Sequence, residues 1–279
     1  MGETVNLSPA PRRVEGRPRA WRPGIAIWLS AGLHVCALIA LLARPQSWVS
    51  ILAVVVLNHV VLALIGLWPR SRLLGANMLR LPDASASRNE IALTFDDGPD
   101  PDVTPQVLDI LDAHHAKASF FVIGDKAAAY PGLIRDIVSR GHSIENHSLK
   151  HSGFFGFFSW TALRTDIGSA QEIVAAISGL PPTFFRSPMG IRNPMLDPVI
   201  ARLGLRYVTW TRRGFDTVAR DPAVVLDRLA RNLSAGDILL LHDRLNRRRR
   251  AIVLDVLPAL LDRIAAAGLK PVSLPSAMR

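Results

Sequence analysis

The chain reads as an α/β protein: a mostly parallel sheet or barrel covered by helices, with two membrane-spanning helices in front of it. Three observations predict this. Two uncharged stretches, residues 24–43 and 48–68, lie near the N-terminus. Beyond residue 88, apolar runs of strand length alternate with amphipathic stretches of helix length. Finally, residues able to do chemistry cluster at the ends of the apolar runs, where folds of this class build their sites.

In chain order, residues 1–23 carry Arg12, Arg13, Arg17, Arg19 and Arg22 among several prolines and read as a basic, disordered tail. Residues 24–43 and 48–68 each match the roughly 20 residues a helix needs to cross a hydrocarbon core. Only Arg44-Pro45-Gln46-Ser47 separates them, which implies a tight reversal. Trp28, Trp48 and Trp68 stand at or near the places where interfacial rings are expected. A cleaved signal peptide is disfavoured, because the first apolar stretch is long for one and a second span follows at once. Arg residues precede the first span and follow the second, at Arg70, Arg72, Arg80 and Arg88. The positive-inside rule then predicts a two-span inner-membrane protein with its catalytic domain in the cytoplasm. His34, Asn58 and His59 fall inside the spans, where helix–helix hydrogen bonding is the expected role. Residues 69–88, ending in Ala84-Ser85-Ala86-Ser87, read as a linker, and 89–279 as the globular domain.

Within that domain, strands are predicted at 90–95, 118–123, 142–146, 183–186, 206–210, 237–241 and 270–273. Helices are predicted at 105–115, 126–140, 159–178, 195–203, 222–233 and 251–267. Thr104-Pro105 and Asp221-Pro222 both look like helix starts, with a capping side chain followed by Pro at the first helical position. No internal repeat is visible.

Bulk composition bounds the rest. The net charge of +10 is uneven. Residues 1–88 hold +7 of it, so the high pI describes the membrane flanks more than the domain. No interleaving of Arg with aromatics suggests a nucleic-acid groove, and none is expected as partner. The single cysteine, Cys36, excludes an internal disulfide.

The chemistry starts at Thr94-Phe95-Asp96-Asp97-Gly98-Pro99. Two adjacent carboxylates at a strand end point in different directions, so one can bind a metal while the other handles a proton. His147-Ser148-Leu149-Lys150-His151 spaces two imidazoles by four, which on a helical turn puts both on one face. Leu239-Leu240-Leu241-His242 ends another apolar run in a histidine. Two His plus a carboxylate with an open position is a recurring hydrolytic metal site. Together these residues argue for a metal-dependent hydrolase.

With these motifs in view, residues 90–275 resemble the polysaccharide deacetylase family, carbohydrate esterase family 4, also called the NodB-homology domain. Thr94 to Pro99 matches the first motif and His147-Ser148-x-x-His151 the second. Arg186-Ser187-Pro188-Met189-Gly190 matches the third, and the apolar run ending in His242 matches the last. The resemblance implies a distorted (β/α) barrel. It implies that Asp97, His147 and His151 hold a divalent metal, zinc first, with cobalt, nickel, manganese or iron as alternatives. Asp96 would be the base for the attacking water, with Arg186 keeping it ionised and oriented. The backbone N–H of Met189 would help to stabilise the oxyanion, and His242 would protonate the leaving amine. The products would be acetate and a free amino sugar.

One family motif is altered. It usually runs Trp-x-x-Asp-x-x-Asp-Trp, and here reads Trp210-Thr211-Arg212-Arg213-Gly214-Phe215-Asp216-Thr217. In the family an acid of this motif orients the catalytic histidine. Asp216 is the obvious substitute, and Arg212 and Arg213 either meet a substrate phosphate or lie on a solvated loop. Met189 stands where an aromatic is common, which alters the sugar-packing surface around Met189 and Phe215.

Two further segments bear on the substrate. Residues 154–160, Phe-Phe-Gly-Phe-Phe-Ser-Trp, read as a lid, an apolar wedge touching lipid, or in part ordinary core. Arg244 with Arg247–Arg250 faces either anionic headgroups or a diphosphate, or is a solvated helix start. The expected function is a membrane-anchored N-deacetylase acting on an N-acetylated amino sugar, lipid-linked or a soluble oligosaccharide, with membrane lipids as its other partner. The alternatives are a deformylase or other amide hydrolase, a periplasm-facing deacetylase of peptidoglycan or exopolysaccharide, and an inactive sugar-binding domain.

Overall fold

Ile91, Ala92, Leu93 and Phe95 are completely buried, so the run they form needs cover on both faces, as the interior of a parallel sheet provides. The computed structural model, which describes residues 18–246 and 250–279, builds the domain around that run. Most of the basic tail and Arg247–Arg249 lie outside the described residues.

The order of elements is α1 (Ile25–Ala43), α2 (Trp48–Leu67), α3 (Asp83–Ser87), β1 (Glu90–Asp96), α4 (Thr104–Ala113), β2 (Ser119–Val122), α5 (Gly124–Ala129), α6 (Pro131–Ser139), β3 (Ser143–Asn146), α7 (Trp160–Ser178), β4 (Phe184–Phe185), α8 (Leu196–Arg202), β5 (Arg206–Tyr207), β6 (Arg212–Arg213), α9 (Pro222–Ala230), β7 (Ile238–His242), α10 (Ile252–Ala266), β8 (Lys270–Val272) and α11 (Leu274–Ala277). The sheet is parallel throughout, in the order β5-β4-β3-β2-β1-β7-β6, with β8 paired to the start of β1. It curls into an incomplete (β/α) barrel. One core layer lies between the sheet and the helices α4, α6, α9 and α10, with Leu93, Phe95, Phe120 and Leu257 among its members. Phe95 and Phe120 stack there with centroids 5.0 Å apart.

α1 and α2, both long and apolar enough to cross a membrane, form an antiparallel pair. Asn58 Nδ2 donates to Ser30 Oγ across them at 2.9 Å, and the rings of His34 and His59 meet edge to face at 5.2 Å.

Several expectations need correction. The helix expected over 126–140 is broken at Tyr130, because Pro131 cannot donate a backbone bond and instead begins α6 at its first position. Thr104 does not cap α4 with its side chain. Its hydroxyl accepts from the Asp100 N–H (2.8 Å) and donates to Asp243 Oδ2 (2.6 Å). Asp221 does cap α9, accepting from the Ala223 N–H at 2.9 Å. β6 was expected as loop, since two arginines carry no apolar signal, yet it pairs with Leu239 and Leu240 of β7.

Residues 69–88, expected as a linker, are woven into the barrel. β5 and β6 are not bonded to each other, and the chain at 78–81 runs along the gap. Met78 bridges Val208, the Leu81 N–H donates to the Gly236 carbonyl (2.8 Å), and Thr211 Oγ1 donates to the Leu79 carbonyl (2.6 Å). Leu81 is buried with Phe121, Phe184 and Ile238. The open seam is thus closed by the segment that joins α2 to the domain.

Candidate active site

The C-terminal ends of the strands hold the chemistry. β1 ends in Asp96 and Asp97, β3 leads into His147, β4 into Arg186, and β7 ends in His242. Asp96 and His242 are direct neighbours in the β1–β7 register.

Backbone strain concentrates here. Of eight non-glycine residues with positive φ among the described residues, five line the site: Asp97 (73°), Ser148 (69°), His151 (50°), Met189 (57°) and Phe215 (60°). Each such conformation costs energy that the surroundings must offset, and its usual use is to aim a functional group. The His147…His151 segment is therefore not the helical turn expected. It is an irregular loop in which Ser148 Oγ accepts from the His151 N–H at 3.0 Å, and two left-handed residues bring the rings together at 5.1 Å.

Asp97, His147 and His151 converge, with one ligand atom from each within 4.8 Å of the others. Asp97 Oδ1 lies 3.3 Å from His147 Nε2 and 3.1 Å from His151 Nε2, yet it is buried and makes no hydrogen bond. An orphaned carboxylate oxygen facing two imidazole nitrogens is what a cation-binding pocket looks like from the protein side. The His147 Nδ1–H donates to the Arg186 carbonyl (2.8 Å), which fixes the tautomer that leaves Nε2 free to ligate. Burial opposes ionisation of Asp97. The close approach and charge of His147, then the charges of His242 and His151, outweigh it and hold the carboxyl well below its usual range. The donor set, two nitrogens and one oxygen, fits a borderline divalent ion such as zinc.

On one flank of this trio lies Asp96. Arg186 is completely buried, so it is no surface ion-pair partner. Its Nη1 donates to Asp96 Oδ1 (2.6 Å) and Thr94 Oγ1 (2.9 Å), its Nη2 to the Thr209 carbonyl (2.8 Å), and its guanidinium stacks 4.1 Å over Phe121. With Oδ1 so engaged, Asp96 Oδ2 is the oxygen turned to the metal ligands, 3.9 Å from His147 Nε2.

On the other flank lies His242. Asp216 accepts twice from it, from the backbone N–H to Oδ2 and from the Nδ1–H to Oδ1, both at 2.8 Å. Burial lowers the pKa of His242, but the charge and hydrogen bond of Asp216, then the charges of Asp97 and Asp96, raise it overall. The structure thus brings Asp216 to the position a histidine-orienting acid needs. Met189 sits at the crest of a short turn, Pro188–Gly190, at the mouth of the site, and Phe215 lies beside Asp216 with its ring half exposed.

Three residues that sequence reasoning did not assign complete the surroundings. Arg244, expected to face headgroups or solvent, donates through Nε to Asp97 Oδ2 at 2.7 Å. Lys126 Nζ donates to the Asp97 carbonyl at 2.7 Å. Asp243 is fully buried behind the site and is pushed up to about 7 by that burial. Gly98 must be glycine, since a Cβ there would lie 2.2 Å from an Asp243 carboxylate oxygen. The only sequence signal for Asp243 and Arg244 was their adjacency to His242. Arg212 also departs from expectation. It pairs with buried Asp237 at 2.5 Å and donates to the Arg231 and Asn232 carbonyls, so it has a structural task. Arg213 instead stacks against Trp210 (5.2 Å) and Phe215 (4.8 Å).

Comparison with known proteins points the same way. The family model for polysaccharide deacetylase matches residues 83–208. A peptidoglycan-N-acetylglucosamine deacetylase of Bacillus cereus is 34% identical over 164 residues, covering 58% of this chain and 76% of that one. A chitooligosaccharide deacetylase of Azorhizobium caulinodans is 35% identical over 158 residues, covering 56% and 75%. Among solved structures, the Bc1960 peptidoglycan N-acetylglucosamine deacetylase aligns with a TM-score of 0.67 at 27% identity, over 72% of this chain and 92% of that one.

Proposed function

The chain belongs to the polysaccharide deacetylase family, carbohydrate esterase family 4, and from that premise we propose that it removes the acetyl group from an N-acetylated amino sugar carried on a lipid at the cytoplasmic membrane face. Enzymes of this family are hydrolases of non-peptide C–N bonds and depend on a metal.

The reading is carried by one arrangement: the Asp97–His147–His151 trio stands between the Arg186-held carboxylate of Asp96 and the Asp216-held imidazole of His242. Asp97 and the two histidines would hold a divalent metal, which supplies Lewis-acid polarisation of the amide carbonyl and of the attacking water. Asp96 Oδ2 takes the proton of that water, while Arg186 keeps Oδ1 and so the orientation of the carboxylate. The amide nitrogen is a poor leaving group unless protonated, and the imidazolium of His242 delivers that proton from Nε2. The Met189 backbone N–H is offered to the oxyanion. The side chains of Asp96, Asp97, His147 and His242 are all at most 8% exposed, whereas His151 is 28% exposed, so the substrate approaches from the His151 side.

The anchoring rests on the two apolar helices and the Arg residues that flank them. A lipid-linked, anionic substrate is supported by a groove of about 590 Å³ beside Phe215, lined by Arg213 and Arg228, both of which stack on that ring. Purification with metal analysis, then acetate release from lipid-linked N-acetyl sugars with Asp96→Asn as control, tests the proposal. Equal release by the variant refutes the assigned base, and a reporter at the C-terminus responding on the periplasmic side refutes the orientation.

A further inference from the structure

The last turn of α2 is fastened to the rim of the candidate active site. The Arg192 N–H donates to the Gly66 carbonyl at 3.0 Å, and a Cβ at Gly66 would fall 2.1 Å from the Arg192 carbonyl oxygen, so the helix end and the loop touch backbone to backbone. Arg192 is itself locked, donating to the Ser71 carbonyl (3.2 Å), pairing with Asp197 and stacking 4.3 Å over Tyr207. Pro69, two residues past α2, lies within 3 Å of where a Cβ on Gly190 would stand, directly behind Met189. At the start of α1 the Ala26 N–H donates to the Leu73 carbonyl (3.0 Å). The end of α2 therefore meets the catalytic face of the barrel, and the start of α1 is tied to the segment that follows α2.

The loop after His151 continues that face. Asn193, one residue past Arg192, donates through Nδ2 to the carbonyls of Phe158 (2.9 Å) and Gly156 (3.2 Å). Phe155 anchors the loop from beneath, buried against Phe185, Leu163 and Leu196. Its neighbours do the opposite. Phe154 is 74% exposed and Phe157 89%, the latter more than any other large hydrophobic residue among those described. A folded, hydrogen-bonded turn that holds two rings outward has an apolar partner to meet. Its continuity with the end of α2, through Asn193, Arg192 and Gly66, says which partner that is.

We propose that Phe154 and Phe157 insert into the same bilayer leaflet that α1 and α2 enter, so that the mouth of the site opens onto the lipid surface. This rests on the reading of α1 and α2 as membrane spans, and it names the surface from which a lipid-linked sugar enters. The occupant is the acyl-headgroup boundary of a bilayer, where amphipathic segments bury rings to a shallow depth.

The test uses the full chain in phosphatidylcholine–phosphatidylglycerol nanodiscs. In a Cys36→Ser background, Phe157→Cys is labelled with an environment-sensitive fluorophore, and spin-labelled lipid is added as quencher. Leu180→Cys, exposed at the entry to β4 and hence at the opposite end of the barrel, is the control. Quenching several-fold stronger at position 157 than at 180 is expected, and equal quenching overturns the proposal. Shielding of the probe that grows with protein concentration and is insensitive to the quencher marks a second copy instead, and also overturns it. Separately, Phe154→Ser/Phe157→Ser should leave kcat/KM on a soluble N-acetylchitooligosaccharide unchanged and raise KM for a lipid-linked N-acetyl sugar at least tenfold. Equal losses on both would make the loop part of the site itself and refute its lipid role. Strong quenching at 157 with no turnover of lipid-linked sugar would leave the bilayer face standing and sink the lipid-linked substrate reading instead.

Discussion

Replacing Asp216 by Asn separates catalysis from structure at the acid flank. Two donors of His242 face Asp216, the backbone N–H and the ring Nδ1–H, each 2.8 Å from its own carboxylate oxygen. An amide offers only one acceptor there. If its oxygen keeps the backbone N–H, its NH₂ faces Nδ1 and favours the neutral ring, which cannot deliver a proton well. If it turns to accept from Nδ1, a buried backbone N–H is left facing a donor. A hydrogen bond to a charged group is worth about 1.5–3 kcal/mol, which converts to a loss of roughly 10- to 150-fold in kcat. The sign with pH follows from the same pair. The charge of Asp216 raises the pKa of His242, so its removal lowers it, and the imidazolium is lost at a lower pH than in the parent. The descending, high-pH limb of kcat should therefore move toward acid, and the deficit should shrink as pH falls. Acetate release measured across pH, with metal content checked to be equal, is the assay. A variant with the parental limb and less than a threefold loss would refute the role assigned to Asp216.

The other predictions follow from the same geometry. Asp96→Asn should bind metal as the parent does and lose about 10²- to 10⁴-fold in kcat, read by acetate release beside elemental analysis. Arg186→Met leaves a buried, unpaired carboxylate, so the domain should lose about 3–5 kcal/mol in denaturant titration, whereas a loss within 1 kcal/mol would contradict the pairing. Chelation should abolish activity and lower the thermal midpoint, with both restored by a divalent ion. At a hundred times Kd the bound ion contributes about 2.7 kcal/mol. Two buried groups should give opposite pH slopes to stability. Burial pushes Glu145 up to about 7 from 4.5, so between those values the folded state keeps a proton the unfolded chain releases, and stability falls as pH rises. Burial, aided by Lys117, pushes His142 down to about 4 from 6.5, so there the unfolded chain takes up a proton the folded state refuses, and stability falls as pH drops. Each is worth roughly 3 kcal/mol across its window. Unfolding free energies of Glu145→Gln and His142→Gln between pH 4 and 7.5 should diverge in slope, and parallel curves would contradict both assignments.

The architecture was legible because its signals are local. Apolar runs such as 91–95 and 238–241 announce buried strands, and the motifs that end them announce the site. What was missed depends on distance or on charge. β6 consists of two arginines and is a strand only because β7 lies beside it. The four-residue spacing of His147 and His151 suggested a helical turn, but the geometry comes from left-handed backbone at Ser148 and His151, which no propensity predicts. Arg244 looked like part of a solvated basic run, and its partner Asp97 is 147 positions away. Asp216 could be named as a candidate from its motif. That it meets both donors of His242 needed the fold. The stretch 69–88 has a linker's composition, yet Leu81 and Met78 close a seam whose existence the sequence does not announce.

The backbone contact between Gly66 and Arg192 has one more consequence. A catalytic domain on a flexible tether samples a volume, and its substrate is measured in molecules per litre. On the proposed anchoring, a barrel bolted to α1 and α2 samples a plane at fixed height. For such an enzyme the quantity that sets the rate is the number of substrate molecules per unit area of membrane. Adding inert lipid would slow it, while diluting the same vesicles in more buffer would not.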